Sequence, residues 1–360
     1  MQPRDLSDHE AYVAGRGHEE VASELGVDPA SLITLSSNEN PLGPSPAAVS
    51  AIRNHAANIH RYPKAAHTEL REALARQCEI SPEQVWLASG GDGVLDYLSR
   101  AMLSPGQSVL VPDPGFAYYG MSARFHHGAV RTYPVERSMD FALTASGILD
   151  AYHGERIVYV TSPHNPTGQV MPQEELRTLA RRTDPDTLLV VDEAYAEFAT
   201  TPGARPLLGE RDDVAILRSF SKAYGLAGVR LGYGLVPEAW AEAYRRVNTP
   251  FAVNELACRA GIAAVDDGSH LSRSIEVART GRERLREELA VRTWPSQGNF
   301  VLADVGDAEA VSAALLERGV IVRDCTSFGL PGCIRITVGT DEELDVAIEA
   351  CNELAAHHEA

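Results

Sequence analysis

The chain has 360 residues, 44% hydrophobic and 23% charged, which is enough to bury the cores of two domains. Fifty acidic against 32 basic residues leave a net charge of −18, which repels nucleic acid instead of steering it in. Five cysteines (Cys78, Cys258, Cys325, Cys333, Cys351), odd in number and without C-x-x-C spacing, argue against a zinc site or a disulfide framework.

Residues up to about 30 read as an N-terminal arm with a helix near Glu19 to Leu25. From about 31 to 245, short apolar runs alternate with helical patterns, the signature of a largely parallel α/β sheet wrapped by helices. Strands are expected at Val85–Ser89, Ser108–Val111, Arg156–Val160, Leu188–Val191 and Ala215–Arg218. A helical stretch from about Phe251 to Val291, broken near Asp266-Asp-Gly-Ser, leads into a smaller α+β domain over 246–360. There Gly298–Asp304, Ile321–Arg323 and Cys333–Val338 read as strands, and a closing helix runs near Glu342 to Leu354.

Three of the turns after these strands carry chemistry. After Arg156–Val160, the turn Thr161-Ser-Pro-His-Asn-Pro-Thr-Gly168 is fixed by prolines and a glycine, and it presents the Asn165 amide at a defined point. The run Leu188–Val191 ends in Asp192, at the carboxyl end of a buried strand where open α/β sheets bind ligands. A carboxylate there would keep a pyridine nitrogen protonated, and Tyr195, three residues on, could reach the same ring's phenolic oxygen. In Ser219-Phe-Ser-Lys-Ala-Tyr-Gly-Leu-Ala-Gly-Val-Arg230, Lys222 can form a Schiff base, while Ser219, Ser221 and Arg230 can grip a phosphate dianion. A covalently held, phosphate-bearing aldehyde cofactor needs this set. In the strand-like Cys333-Ile-Arg-Ile-Thr-Val338, Arg335 is a cation on an otherwise apolar alternation, which marks it as functional.

With these motifs in this order, the chain resembles the histidinol-phosphate aminotransferase family of fold type I pyridoxal-phosphate enzymes, over nearly its whole length. Asn38-Glu-Asn-Pro-Leu-Gly-Pro44, Arg61-Tyr-Pro63, Pro114-Gly-Phe116 and Arg335-Ile-Thr-Val-Gly-Thr340 join the Asn165, Asp192 and Lys222 segments in the likeness. The resemblance implies a large domain with a mostly parallel sheet and a smaller α+β domain. It implies pyridoxal 5′-phosphate, with Lys222 as Schiff-base lysine and proton shuttle. Asp192 would pair with the ring nitrogen, Asn165 and Tyr195 with the phenolic oxygen, and Phe116 would stack on the ring. Ser219, Ser221, Arg230 and backbone amides at Gly93 and Val94 would take the phosphate. Tyr62 would reach the phosphate bound in a second subunit, which implies a homodimer with shared active sites. Arg335 and Arg323 would hold the anionic ends of histidinol phosphate and glutamate, with Tyr12 and Asn38 near the substrate mouth.

The sequence departs from the family's phosphate cup, where Ser89-Gly-Gly-Asp-Gly-Val-Leu95 stands for Gly-Asn-Gly-Ser/Ala-Asp-Glu, so only backbone roles carry over to Val94 and Leu95. The expected reaction is transamination between histidinol phosphate and 2-oxoglutarate in histidine biosynthesis. A phosphothreonine decarboxylase-like lyase and a broader aromatic aminotransferase remain alternatives on the same scaffold. The adjacent pairs His126-His127 and His357-His358 lack further ligands at metal spacing, so no metal site is expected. No apolar stretch approaches the ~18 residues that span a membrane. The first ten residues lack the regions of a secretory signal, so a cytoplasmic location is expected. The scattered acids read as a solvated surface, or more sharply as adaptation to a high-salt interior.

Overall fold

The computed structural model describes Leu6, Ser7, His9, Ala11, Tyr12, Gly15 and residues 17–358. The first half contains α1 (His18–Leu25), β1 (Ile33–Leu35), α2 (Pro46–His55), α3 (Thr68–Cys78), β2 (Val85–Ala88), α4 (Gly90–Met102), β3 (Ser108–Asp113), α5 (Tyr118–Phe125), β4 (Ala129–Pro134) and α6 (Ala145–Ala151). The middle runs through β5 (Ile157–Thr161), α7 (Gln173–Arg182), β6 (Leu188–Asp192), β7 (Val214–Ser219), β8 (Gly232–Leu235) and α8 (Ala241–Val247). It ends with α9 (Glu255–Asp266), α10 (Gly268–Glu288), β9 (Phe300–Asp304), α11 (Ala308–Glu317), β10 (Val320–Asp324), β11 (Cys333–Thr337) and α12 (Asp341–His358).

Uniformly apolar strands can only be stable with both faces covered, and β2, β5 and β6 are buried at every position. They lie in a seven-stranded sheet of order β2-β8-β7-β6-β5-β3-β4, in which only β8 runs antiparallel to its neighbours. Alternate residues feed opposite faces: Val158, Val160, Leu189 and Val191 enter one core, Ile157, Tyr159, Leu188 and Val190 the other. A second sheet, β1-β10-β11-β9, pairs β1 parallel to β10 and the rest antiparallel, and covers its own core of Leu35, Val301, Ile334, Ile336 and Leu344.

Helix ends follow local capping chemistry. Ser45 accepts from the Ala48 N–H at 3.0 Å with Pro46 in the first turn, and Asn254 accepts from the Ala257 N–H at 2.8 Å. The expected break near Asp266 is a cap as well: Asp267 accepts from the His270 N–H at 3.1 Å and separates α9 from α10. Two elements cross the expected domain limits. Strand β1, placed by the sequence in the large domain, pairs with β10 in the small sheet. Helix α9, placed in the small domain, packs on α2 and α3 and sends Ala257, Cys258 and Ala260 into the main core.

Candidate active site

A cavity of about 350 Å³ opens where β5, β6 and β7 end and α4 begins. The segment Ser36–Glu39, after β1, and Arg323 and Arg335, from the small sheet, line its other walls. Tyr12, Asn38, Phe116, Asn165, Asp192, Tyr195, Ser219, Ser221, Lys222 and Arg230 also line it. Residues distant in sequence thus meet because the parallel strands all deliver their carboxyl ends to one edge.

Lys222 stands three residues past the end of β7, and its Nζ donates to the Ser37 carbonyl at 2.9 Å. Burial pulls its ammonium down from 10.5 to about 8, and the neighbouring Arg335 pushes the same way. Nζ also lies 5.8 Å from the centroid of the Tyr195 ring.

Asp192 closes β6 and is 6% exposed. Its Oδ1 accepts from the Ala194 N–H at 3.0 Å and its Oδ2 from the Tyr119 hydroxyl at 2.6 Å. Burial raises this carboxyl to about 6 against those two donors, and Asp92 and Glu193 add like charge. Among the described residues, no cation pairs with it. A buried acid with no counter-ion, facing a cavity, fits a protonated ring nitrogen.

Helix α4 points its N-terminus at the same cavity. Gly90 adopts a positive φ of 77°, and a Cβ there would stand 2.4 Å from Nη2 of Arg230. Arg230 pairs with Asp92 at 3.1 Å, Ser221 N–H donates to Ser219 Oγ at 3.0 Å, and all four residues face the opening. Free first-turn amides, two hydroxyls and a guanidinium suit a phosphate. Gly93 and Val94 do not line the cavity, because the helix starts at Gly90 and its first turn is already complete there. Val94 is fully buried under Gly234, so Gly91 and Asp92 stand at the wall in their place.

On the far wall, Arg323 and Arg335 are register partners across β10 and β11. Arg335 is 5% exposed; it donates to the Asn165 side-chain oxygen and, at 2.5 Å, to the Ser36 carbonyl. Its Nε has no hydrogen-bond partner among the described residues. Arg323 donates to Ser327 at 3.1 Å and lies over the Phe328 ring. Asn38 was expected at the mouth, yet it is 1% exposed. Its amide donates to the Tyr195 hydroxyl at 3.0 Å, and Thr337 donates back to its oxygen at 3.1 Å. Tyr12 meets Phe116 edge-on at 6.1 Å. Tyr62 is 82% exposed, does not line this cavity, and stacks on Phe251 at 4.7 Å. Sequence reasoning missed Tyr119, Asp92, Glu39 and Phe328 as wall residues. Of these, Tyr119 could have been found from its place one helical turn beyond Phe116.

Comparison with known proteins agrees with this geometry. The aminotransferase class I and II family matches residues 30–351. Histidinol-phosphate aminotransferase of Haloarcula marismortui is 61% identical over 354 residues, 98% of each chain. That of Halorubrum lacusprofundi is 62% identical over 356 residues, 99% of this chain and 98% of the relative. The crystal structure of histidinol-phosphate aminotransferase from Sinorhizobium meliloti in complex with pyridoxal-5′-phosphate matches with a TM-score of 0.88 at 28% identity, covering 99% of both chains. Fold and cavity define a fold type I aminotransferase. The chain belongs to the aminotransferase class I and II family, among its histidinol-phosphate aminotransferases.

Proposed function

We propose that this enzyme transfers the amino group between L-histidinol phosphate and 2-oxoglutarate, giving imidazole acetol phosphate and glutamate in L-histidine biosynthesis, with pyridoxal 5′-phosphate as cofactor. The observation that carries the reading is the convergence of Lys222, Asp192 and Arg335 on one cavity. When bound, the cofactor supplies a carbonyl for the amino group and a ring that draws electrons from the substrate carbon. Asp192 holds the ring nitrogen, Tyr195 and Asn165 the phenolic oxygen, and Phe116 covers one face. Ser219, Ser221, Arg230 and the first-turn amides of α4 hold the phosphate.

Lys222 is the base that takes the proton from substrate Cα and returns it, and an amine depressed to about 8 is free often enough to do so near neutral pH. Arg335, whose buried Nε lacks a partner among the described residues, receives the substrate's anionic end, and Arg323 shares it. A guanidinium fork meets a phosphate or a carboxylate with two parallel bonds, so one wall serves both amino donors. Tyr12 bounds the mouth, and Asn38 acts from the interior through Tyr195.

The functional unit is a homodimer in which Tyr62 approaches the second subunit's site. Its exposed, stacked pairing with Phe251 outside the cavity supports this placement. The expected arm over residues 1–30 lies partly outside the described residues, and the large and small domains divide near 31 and 246, amended by the pairing of β1 and the packing of α9. Among the described residues, no helix is long and apolar enough to cross a membrane. A cytoplasmic location follows from the biosynthetic role.

The test is a donor panel: histidinol phosphate, phenylalanine and phosphothreonine, each with pyridoxal phosphate and 2-oxoglutarate, with glutamate release measured. Glutamate from histidinol phosphate at the highest kcat/KM is expected. Carbon dioxide from phosphothreonine without need of an oxo acid would replace this reading with the lyase.

A further inference from the structure

Asp192 is poorly placed to stay ionised by itself. It is buried at the end of β6, with Asp92 from α4 and Glu193, the residue just past the strand, adding like charge. Its remaining support is one backbone N–H and one phenol, Tyr119 from α5. That phenol is fully buried and pinned from three sides. Its ring stacks on Tyr159 at 4.9 Å and meets Phe116 edge-on at 5.5 Å, and its oxygen lies 2.8 Å from the Thr161 hydroxyl. A phenol has one proton to give, and the carboxylate 2.6 Å away is the stronger acceptor. Thr161 therefore donates to Tyr119, which donates to Asp192. Thr161 and Asp192 are register partners on β5 and β6, so the relay is anchored in the sheet at both ends.

We propose that Tyr119 is a positioning residue: its hydroxyl, oriented by Thr161, keeps the Asp192 carboxylate ionised and aimed into the cavity for a protonated heterocyclic nitrogen. The inference rests on the pyridoxal phosphate reading above. It assigns to a residue in the cavity wall a task carried out through Asp192. Chained hydrogen bonds polarise one another, so Thr161 strengthens the donor that Asp192 receives. The groups facing Asp192 are then Tyr119 from α5, Asp92 from α4, Glu193 beside it and Tyr195 beyond the strand end. Tyr119 is the only side chain among them that donates to it among the described residues.

Tyr119→Phe removes one oxygen and retains the ring packing. The measurement is the dissociation constant of pyridoxal phosphate for the apoenzyme between pH 5 and 9, beside that of its 1-deaza analogue, which keeps the phosphate but has no ring nitrogen. Taking the ratio of the two cancels the titration of the phosphate and of Lys222. For Tyr119→Phe, pyridoxal phosphate affinity is expected to fall roughly tenfold at pH 7, as for loss of one charge-assisted bond. The pH below which the ratio collapses should move upward, because a donor to the charged form has gone. Thr161→Val, which leaves the phenol in place, is expected to move the same midpoint in the same direction by less. Equal weakening of both ligands, or a ratio whose pH midpoint does not move in either variant, overturns the proposal. Wild-type apoenzyme that prefers the deaza analogue at every pH would instead overturn the pyridoxal phosphate reading, and this inference with it.

Discussion

A lysine drawn partly out of water changes character, and Lys222 is the clearest case. Desolvation and Arg335 hold its amine near 8, where an ordinary lysine stays charged to 10.5. Capture of an aldehyde requires the free amine, so its rate at Lys222 in the apoenzyme should rise with pH around a midpoint near 8. A midpoint near 10.5 would show that Lys222 is not desolvated in the cavity. The same shift has a stability consequence: the unfolded chain binds the extra proton between about 8 and 10.5, so apoenzyme stability rises with pH across that window. Asp192 acts in the opposite sense, since its raised carboxyl favours the folded state at low pH and withdraws that support as pH climbs from 3.8 to about 6. Arg335 is the other residue whose chemistry depends on burial. Arg335→Lys keeps the charge but loses the fork. It is expected to lower kcat/KM for histidinol phosphate and for glutamate alike by about tenfold or more. Loss confined to one donor would mean that the two anions do not share this wall.

At the scale of elements, the site depends on how closely β8 lets α4 approach. Gly232 on β8 has the backbone of Gly90 and Gly91 2.4–2.5 Å from where a Cβ would stand. No flexible side chain can yield there, so Gly232→Ala should push the helix N-terminus off its station. A stability loss of about 1–3 kcal/mol is expected, together with weaker binding of phosphate-bearing ligands, read by thermal melting and titration. Normal phosphate affinity in a destabilised variant would separate the helix from the cup. This strand was also hard to read in the sequence. Gly232-Tyr-Gly-Leu235 carries two glycines and resembles a turn, whereas Leu188–Val191 declares a buried strand by its continuous apolar run. Strand β4 was missed because its residues are mostly exposed at the sheet edge, and β1 because three residues make no period. Lys222, Asp192 and Arg335 were legible because each is a polar residue next to or within an apolar strand. Tyr119 was not, since its proposed role depends on α5, packed on β3 and β4, bringing a phenol to side chains at the ends of β5 and β6. Gly93 and Val94 were expected from a motif whose residues depart from the family pattern, and only the observed start of α4 at Gly90 shows Gly91 and Asp92, not those two, in the cavity wall.

For the whole molecule, a charge of −18 on 360 residues sets a repulsion that dissolved salt screens over about 10 Å at 0.1 M and 3 Å at 1 M. Melting temperature is therefore expected to rise as potassium chloride goes from about 0.1 to beyond 1 M, and a flat or falling series would refute adaptation to a high-salt interior. The chain also offers an unusually direct test of its central claim, that Lys222 is the residue that captures the cofactor aldehyde. Its sequence holds two lysines, Lys222 in the cavity and Lys64 on the surface beside Glu69. Borohydride reduction of the protein with pyridoxal phosphate, followed by peptide mass analysis, should place one pyridoxyl group on the Lys222 peptide and leave Lys64 unmodified. Label on Lys64 with Lys222 untouched would contradict the assignment of this cavity as the active site.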